Sequence, residues 1–255
     1  SPLGQDHYYT VTLRGNREAV VAMKAIFSNL TNEPLVTLTF KSPVEDIGNI
    51  SVYQVKRERE CVRYAPRPII SERIDEFRDT QTGQECLEYR EPDYYGYWYG
   101  KSQYLNTQYQ QNGDQITVTL AEPVSVGKSG SILLSYRTSA YTDRSAFGAF
   151  SYVFETLQVE DNINQLQVGI KTDDELVLKN AETQVQYQET DLKMAALADG
   201  IGAIESSQFD SYYQQIGYGD IVKTASSLQP NESYTVEGAY AKNRIQLYGT
   251  EITVA

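Results

Sequence analysis

Apolar and polar residues alternate with a period of two along most of the chain. Tyr9, Val11 and Leu13 alternate with Thr10 and Thr12, and Val36, Leu38 and Phe40 alternate with Thr37 and Thr39. Ile50, Val52 and Val55 continue the pattern. Successive side chains of a strand point to opposite faces, so each segment reads as a half-buried strand with one wet face, as in antiparallel sheets. The turn residues of Asn29 to Pro34 separate Ala19–Phe27 from Leu35–Phe40. Further strands are expected at Ser131–Arg137, over residues 147–157 with Phe147, Phe150, Tyr152 and Phe154, and at Leu166–Ile170, Glu175–Leu178, Thr183–Tyr187, Tyr234–Ala241 and Arg244–Val254.

The clearest local expectation is a hairpin at Asn112-Gly113, a dipeptide suited to a type I′ turn because both central residues need positive φ. With Gln111 opposite Asp114, Tyr109 pairs with Ile116, Thr107 with Val118 and Leu105 with Leu120. One face is then apolar while Gln108, Asn106, Thr117 and Thr119 line the other, and agreement of register with pattern specifies a strand pair. Helical spacing interrupts the alternation once. Leu192, Ala195, Ala196, Ile201 and Ile204 recur roughly as on a helix, although Gly200 and Gly202 weaken it. A short helix from Asp191 and a second near Phe209–Gln215 make one helical excursion over 191–215. The expected fold class is all-β, an antiparallel β-sandwich or a pair of them.

Composition narrows the chemistry. The 255 residues include 21 Tyr but one His, one Trp and two Cys. With His7 alone, no site can need two histidines, which excludes H-E-x-x-H zinc hydrolases and facial-triad iron sites. Two cysteines cannot make a four-cysteine zinc or iron–sulfur site. There is no G-x-S-x-G, no P-loop and no G-x-G-x-x-G, and Gly200-Ile201-Gly202-Ala203 lacks the third glycine of a dinucleotide loop. A serine triad would have to use His7, which is expected near a mobile terminus. Asp173-Asp174-Glu175 offers oxygens for Ca²⁺ but no EF-hand loop surrounds it, and a polar turn is the simpler reading. No cofactor, metal or catalytic residue is assigned.

Charge changes the picture of organisation. The chain has 22 Lys+Arg against 34 Asp+Glu, a net −12, which argues against a nucleic-acid surface. Residues 1–150 hold 16 basic and 18 acidic side chains, and residues 151–255 hold 6 and 16. That asymmetry favours two β-sandwich domains, 1–145 and an acidic 146–255, over one large sandwich with an acidic end. Cys61 and Cys86 are read as a disulfide closing the intervening loop, worth roughly 3 kcal/mol in the chain-entropy model. The bond implies an oxidising compartment, secreted or at the cell surface. Asn29, Asn49 and Asn231 head N-x-S/T sequons, usable in a glycosylating host. The longest apolar runs are five residues, Ala19–Met23 and Met194–Ala198, far below the ~18 of a membrane span. The opening Ser1-Pro2-Leu3-Gly4 looks like a cleavage scar, so a leader or anchor removed upstream is part of the expectation.

The most unusual segment is Tyr94-Tyr95-Gly96-Tyr97-Trp98-Tyr99. In a strand, Tyr95, Tyr97 and Tyr99 share one face while Tyr94 and Trp98 lie on the other, and two aromatic faces exceed what a half-exposed strand needs. Tyrosine combines a rigid contact area with a polar tip, so the segment reads as a binding platform or as an aromatic strand packed on the sheet. Lys56 to Arg90 carries 8 basic and 8 acidic residues, including Arg57, Arg59, Arg63 and Arg67, and reads as a solvated excursion or an arginine-bearing loop for an acidic partner.

Ala22-Met23-Lys24-Ala25-Ile26-Phe27-Ser28-Asn29-Leu30-Thr31 with Pro34-Leu35 resembles the early strands of the amino-terminal β-saddle domain of gluzincin aminopeptidases. Leu120 to Tyr136, with Pro123 and Gly127, is similar to a later strand pair there, and ribophorin-type luminal domains share that architecture. The resemblance covers residues 22–35 and 120–136 and lacks the catalytic zinc motif, so it implies an all-β accessory or luminal domain and no activity. The expected function is a non-catalytic extracellular module for protein–protein contact in a surface or envelope assembly, through Tyr94, Tyr95, Tyr97, Trp98 and Tyr99. The alternatives are a carbohydrate-binding module using the same aromatics and a carboxylate-dependent glycoside hydrolase. The expected partners are a protein or a glycan, with a second copy of the chain also compatible.

Overall fold

Seven strands pair into the largest sheet. Its order is β15 (Ile221–Leu228), β13 (Ile163–Thr172), β1 (Gln5–Leu13), β2 (Ala19–Ser28), β10 (Ser129–Thr138), β4 (Gly48–Arg57) and β7 (Ser102–Asn106). The computed structural model describes residues 4–65, 86–96, 102–145, 148–173, 175–181 and 206–252. Four strands, β11 (Thr142–Arg144), β12 (Phe150–Glu155), β16 (Thr235–Ala241) and β14 (Val177–Leu178), form a second sheet. Three more, β3 (Leu35–Lys41), β9 (Gln115–Val124) and β8 (Gln108–Asn112), form a third. β5 (Glu60–Tyr64) and β6 (Cys86–Arg90) make a separate ribbon, stapled by the Cys61–Cys86 disulfide with Cα atoms 5.8 Å apart. The fold is all-β with two helices among the described residues, α1 (Ser206–Gln215) and α2 (Arg244–Ile252).

The core lies between the sheets. Tyr9, Val21, Met23, Ile132 and Leu134 from the inner face of the large sheet share one apolar cluster with Phe154 and Tyr240 of the four-stranded sheet and Phe40 and Ile116 of the three-stranded one. Fully burying each such side chain stabilises the fold by roughly 1.5–3 kcal/mol. Tyr9 meets Phe154 edge-on with ring centroids 5.6 Å apart. β1 runs parallel to β13 and antiparallel to β2, so strands from both sides of residue 145 share the large sheet.

The outer face of that sheet is only partly wet, unlike the half-buried strands the alternation suggests. β2 buries both of its faces because α1 crosses above it. Phe209, Tyr212, Tyr213 and Ile216 recur at helical spacing and pack on Ala22, Val55 and Leu133. The chain leaving α1 crosses directly over β13. A Cβ at Gly169 would collide with the Tyr218 carbonyl, so only glycine permits the approach. Thr10 fastens the crossing: its Oγ1 accepts from the Gly217 amide at 3.0 Å and donates to the Tyr218 carbonyl at 3.2 Å. α1 is the second expected helix; the first, from Asp191, lies outside the described residues, as do Thr183–Tyr187 and Phe147.

Four local expectations are corrected. The segment expected as a strand from Arg244 is the helix α2. Asn243 Oδ1 accepts from the Gln246 amide at 2.9 Å, a side-chain cap, and the alternation of Ile245 and Leu247 misleads because Ile245 is 76% exposed while Leu247 is buried. The hairpin exists, but Asn112 pairs with Gln115 and Tyr109 with Val118. Gly113, at φ 62°, is then the first central residue, which a II′-type turn places at positive φ. The expected long strand is split at Thr107, whose amide and hydroxyl both donate to the Val52 carbonyl, so Leu105 pairs with Gln54 instead of Leu120. Finally, His7 is not at a mobile end but fully buried in β1.

Candidate functional site

Tyr94 and Tyr95 sit in a bend after β6, not in a strand. Asp93 makes the bend, its Oδ1 accepting from the Tyr95 amide at 2.9 Å. The Arg57 guanidinium donates to the Asp93 carbonyl. The Tyr94 hydroxyl accepts from the Arg57 amide at 3.2 Å, and its ring lies 5.3 Å from the Arg57 guanidinium. Tyr95 reaches the end of β2, where its hydroxyl is 3.0 Å from Ser28 Oγ, which in turn is 2.9 Å from Ser129 Oγ. The residue stays 45% exposed. Burial of the hydroxyl pushes the Tyr95 pKa up, the Ser28 bond opposes the shift, and Asp6 and Asp93 add to it. Tyr97, Trp98 and Tyr99 lie outside the described residues, so the platform is described through Tyr94 and Tyr95.

These two tyrosines border a larger aromatic field on the outer face of the large sheet. Pairing places Tyr8, Lys24, Leu133 and Tyr53 in one row across β1, β2, β10 and β4. The Lys24 ammonium lies 4.2 Å from the Tyr8 ring centroid and 4.9 Å from that of Tyr213 on α1. Ser131 Oγ donates to the Ala25 carbonyl and therefore accepts from the Tyr213 hydroxyl at 2.6 Å. Tyr104 stacks on Phe209 at 4.7 Å and donates to Asp210 Oδ1 at 2.7 Å. Burial, with the nearby Arg57 charge, pushes the Lys24 pKa down to about 8, and burial pushes Tyr213 up to about 12. The field thus combines neutral phenols with two cations.

Sequence reasoning missed Tyr8, Lys24, Tyr53 and Tyr213. One signal was legible: Lys24 is the sole charged residue in the otherwise apolar Ala19–Ser28. A lone cation in a strand of that composition needs an aromatic or ionic neighbour.

The other candidate residues are dispersed. Cys61 and Cys86 are joined as expected, in the β5–β6 ribbon. Asn49 and Asn231 are exposed and both have positive φ. Asn29 is buried, and its Nδ2 donates to the Glu33 and Val124 carbonyls at 2.8 and 2.7 Å. A glycan on Asn29 would have to displace both bonds. Two clefts of about 530 Å³ each open elsewhere, one between Tyr152, Lys223 and Glu237, the other between Ser28, Thr37 and Asp161. Neither is lined by Tyr94 or Tyr95. Among the described residues, no group of three His, Cys, Asp or Glu is placed to hold a metal ion, and no helix is long and apolar enough to cross a membrane.

No protein-family model matches the chain. No curated protein matches it in sequence either. Among solved structures it is similar to an M1 zinc metallopeptidase from Deinococcus radiodurans, at 10% identity and a TM-score of 0.34 for a mutant form, covering 73% of this chain and 37% of that one. The same mutant bound to a Tyr-Ser-Ala substrate gives 11% and 0.32, covering 72% and 37%. A further structure of that peptidase gives 10% and 0.32 over the same shares. The chain thus spans 37% of the length of the structures it resembles. They are of the zinc-peptidase kind whose amino-terminal domain residues 22–35 and 120–136 resemble, and at these TM-scores the likeness carries no argument about site or activity.

Proposed function

We propose that this chain is a non-catalytic β-sandwich module that contacts another protein outside the cytoplasm, with Tyr94 and Tyr95 as the described part of its contact surface. The observation that carries the reading is the state of Tyr95. Its hydroxyl is bonded to Ser28 and its amide to Asp93, yet the residue remains 45% exposed. An aromatic ring fixed before docking loses little conformational entropy on contact, and it offers apolar area with a polar tip. Tyr97, Trp98 and Tyr99 continue the run in sequence and are proposed as part of the same surface. The Cys61–Cys86 disulfide supports an oxidising, secreted or cell-surface setting.

The test is capture of partners from cell-surface extract by the native chain, by Tyr95→Ala and by Tyr109→Ala, with a glycan array beside it. Tyr109 is 40% exposed on the edge strand β8 and serves as a control. Tyr95→Ala is expected to melt within a few degrees of the native chain and to lose capture by about tenfold or more, since interface aromatics at anchoring positions are worth ~2 kcal/mol. Tyr109→Ala is expected to capture normally. Equal capture by all three chains contradicts the reading, and glycan binding lost in Tyr95→Ala assigns the platform to sugar instead.

A further inference from the structure

Lys24 is a sheltered cation that no carboxylate among the described residues answers. Its ammonium rests against the Tyr8 and Tyr213 rings at 4.2 and 4.9 Å. Among the described residues, no ion pair includes it. The acids of this face are engaged elsewhere: Asp93 holds the Tyr95 amide, Asp210 the Tyr104 hydroxyl, and Asp6 takes a backbone hydrogen bond from Gln165. Withdrawing a cation from water is costly, and ring faces return only part of that cost. Arg57 adds a second positive charge on the same side of β4 as Val55, two residues beyond the Val55–Ser131 pair, and Ser131 holds the hydroxyl of the Tyr213 ring that Lys24 rests against. Its guanidinium is held in place by the Asp93 carbonyl and the Tyr94 ring. Lys24 stays partly exposed, so a ligand can reach it.

We propose that Lys24 and Arg57 form a subsite for one carboxylate, carried on an acidic side chain of the partner protein. This rests on the platform reading and names the chemistry of the contact beside Tyr95. A monoanion fits better than a phosphate dianion, because Asp6, Asp93 and Asp210 already hold negative charge on this face of a chain with a net −12. A side chain fits better than a chain terminus. Capture of a terminal carboxylate uses a nest of free backbone amides, whereas β2, β10 and β4 are interior strands whose amides are committed to the ladders, leaving side chains as the donors. Binding would give Lys24 the counter-charge that the fold withholds.

Among the described residues, the ionisable groups around Lys24 are Tyr8 from β1, Tyr213 from α1 and Tyr53 and Arg57 from β4, with Asp6 and Tyr95 acting on Tyr8 and Tyr94 on Tyr213. Burial lifts Tyr8, Tyr53, Tyr95 and Tyr213 above the usual phenol range, so Lys24 is the group expected to titrate between neutral and mildly alkaline pH. The probe is the blocked tripeptide acetyl-Gly-Glu-Gly-amide, with acetyl-Gly-Gln-Gly-amide beside it, titrated at fixed ionic strength into the whole chain carrying nitrogen-labelled lysine. The Glu peptide is expected to shift the Lys24 ammonium signal saturably, at least about tenfold more tightly than the Gln peptide, and to weaken about tenfold between about pH 7 and about pH 9 as the ammonium is lost. Read by calorimetric titration of the same peptides, Lys24→Met should abolish the Glu-peptide response and Lys24→Arg should keep it. If Lys24→Met does not fold, the Glu-against-Gln comparison on the native chain decides. Equal responses to the two peptides, a response that never saturates, or one retained in Lys24→Met overturns the subsite. A Glu response beside capture that ignores Tyr95 overturns the platform reading and leaves the subsite standing as an anion site. No Glu response beside capture lost in Tyr95→Ala overturns the subsite alone.

Discussion

At the scale of single residues, His7 turns burial into a pH response. Gln5 Nε2 donates to Asp161 at 3.0 Å, which turns Gln5 Oε1 toward His7. His7 therefore donates from Nε2, at 2.9 Å, and accepts on Nδ1 from the Tyr9 hydroxyl at 3.4 Å. That neutral tautomer is sealed in the core, and burial pushes the imidazole pKa from 6.5 down to about 3. The unfolded chain takes up its proton near 6.5, the folded one not until about 3. Stability from this group is complete above pH 6.5 and is lost as pH falls toward 3, at up to about 1.4 kcal/mol per pH unit. Asp6 acts with the opposite sign: burial raises its pKa above 3.8, so its contribution is present at low pH and is lost as pH rises through that range. Denaturant midpoints measured between about pH 6.5 and about pH 4.5 should fall steeply in the native chain. His7→Gln should flatten most of that slope, whatever its stability at neutral pH. An unchanged slope would show that other groups carry the acid response.

At the scale of elements, the tip of α2 rests on one side chain. Asn243 caps the Gln246 amide, and α2 then lays Leu247 on Ala149 and Ala241. Asn243→Ala is expected to cost about 1 kcal/mol, read as a lower denaturant midpoint with unchanged m-value. Alternation of Ile245 and Leu247 does not by itself distinguish a strand from the first turn of a helix, and the Asn243 cap is seen only in the structure. Strand existence was legible in β3, where Leu38 and Phe40 are buried as the alternation predicts, but Val36, expected on the same face, is exposed at the register shift between Leu35 and Thr37. Register was less so. The Asn112-Gly113 signal located the hairpin, while tertiary pairing of β7 with β4 at Thr107 decided where it begins. The parallel β1–β13 pair had no local signature at all, since its partners are about 160 residues apart in sequence and parallel pairing needs no shared turn. The candidate site was half legible. Tyr94 and Tyr95 stood out as a run, whereas Tyr8, Lys24 and Tyr213 meet only because β1, β2 and α1 converge.

At the scale of the whole molecule, the charge asymmetry suggests a division near residue 145, and fragments test it directly. Two units would each unfold cooperatively when made as 1–145 and 146–255. The parallel β1–β13 ladder and the core cluster shared by Tyr9, Phe40, Phe154 and Tyr240 lead us to expect that neither fragment does so alone and that the full chain melts in one transition. Two separable transitions would support the division. The same architecture gives the outer face its place: one side of the large sheet is consumed by the core, so the face carrying α1, Lys24 and the Tyr94–Tyr95 bend is left for a partner. The most direct measurement of that claim is site-specific photo-crosslinking at the surface of source cells, with p-benzoylphenylalanine replacing Tyr95 in one chain and Tyr109 in another. The contact reading predicts a discrete protein adduct from position 95 that is absent from position 109 and weakened by Lys24→Met. Matching adducts from both positions, or none from position 95, would contradict it.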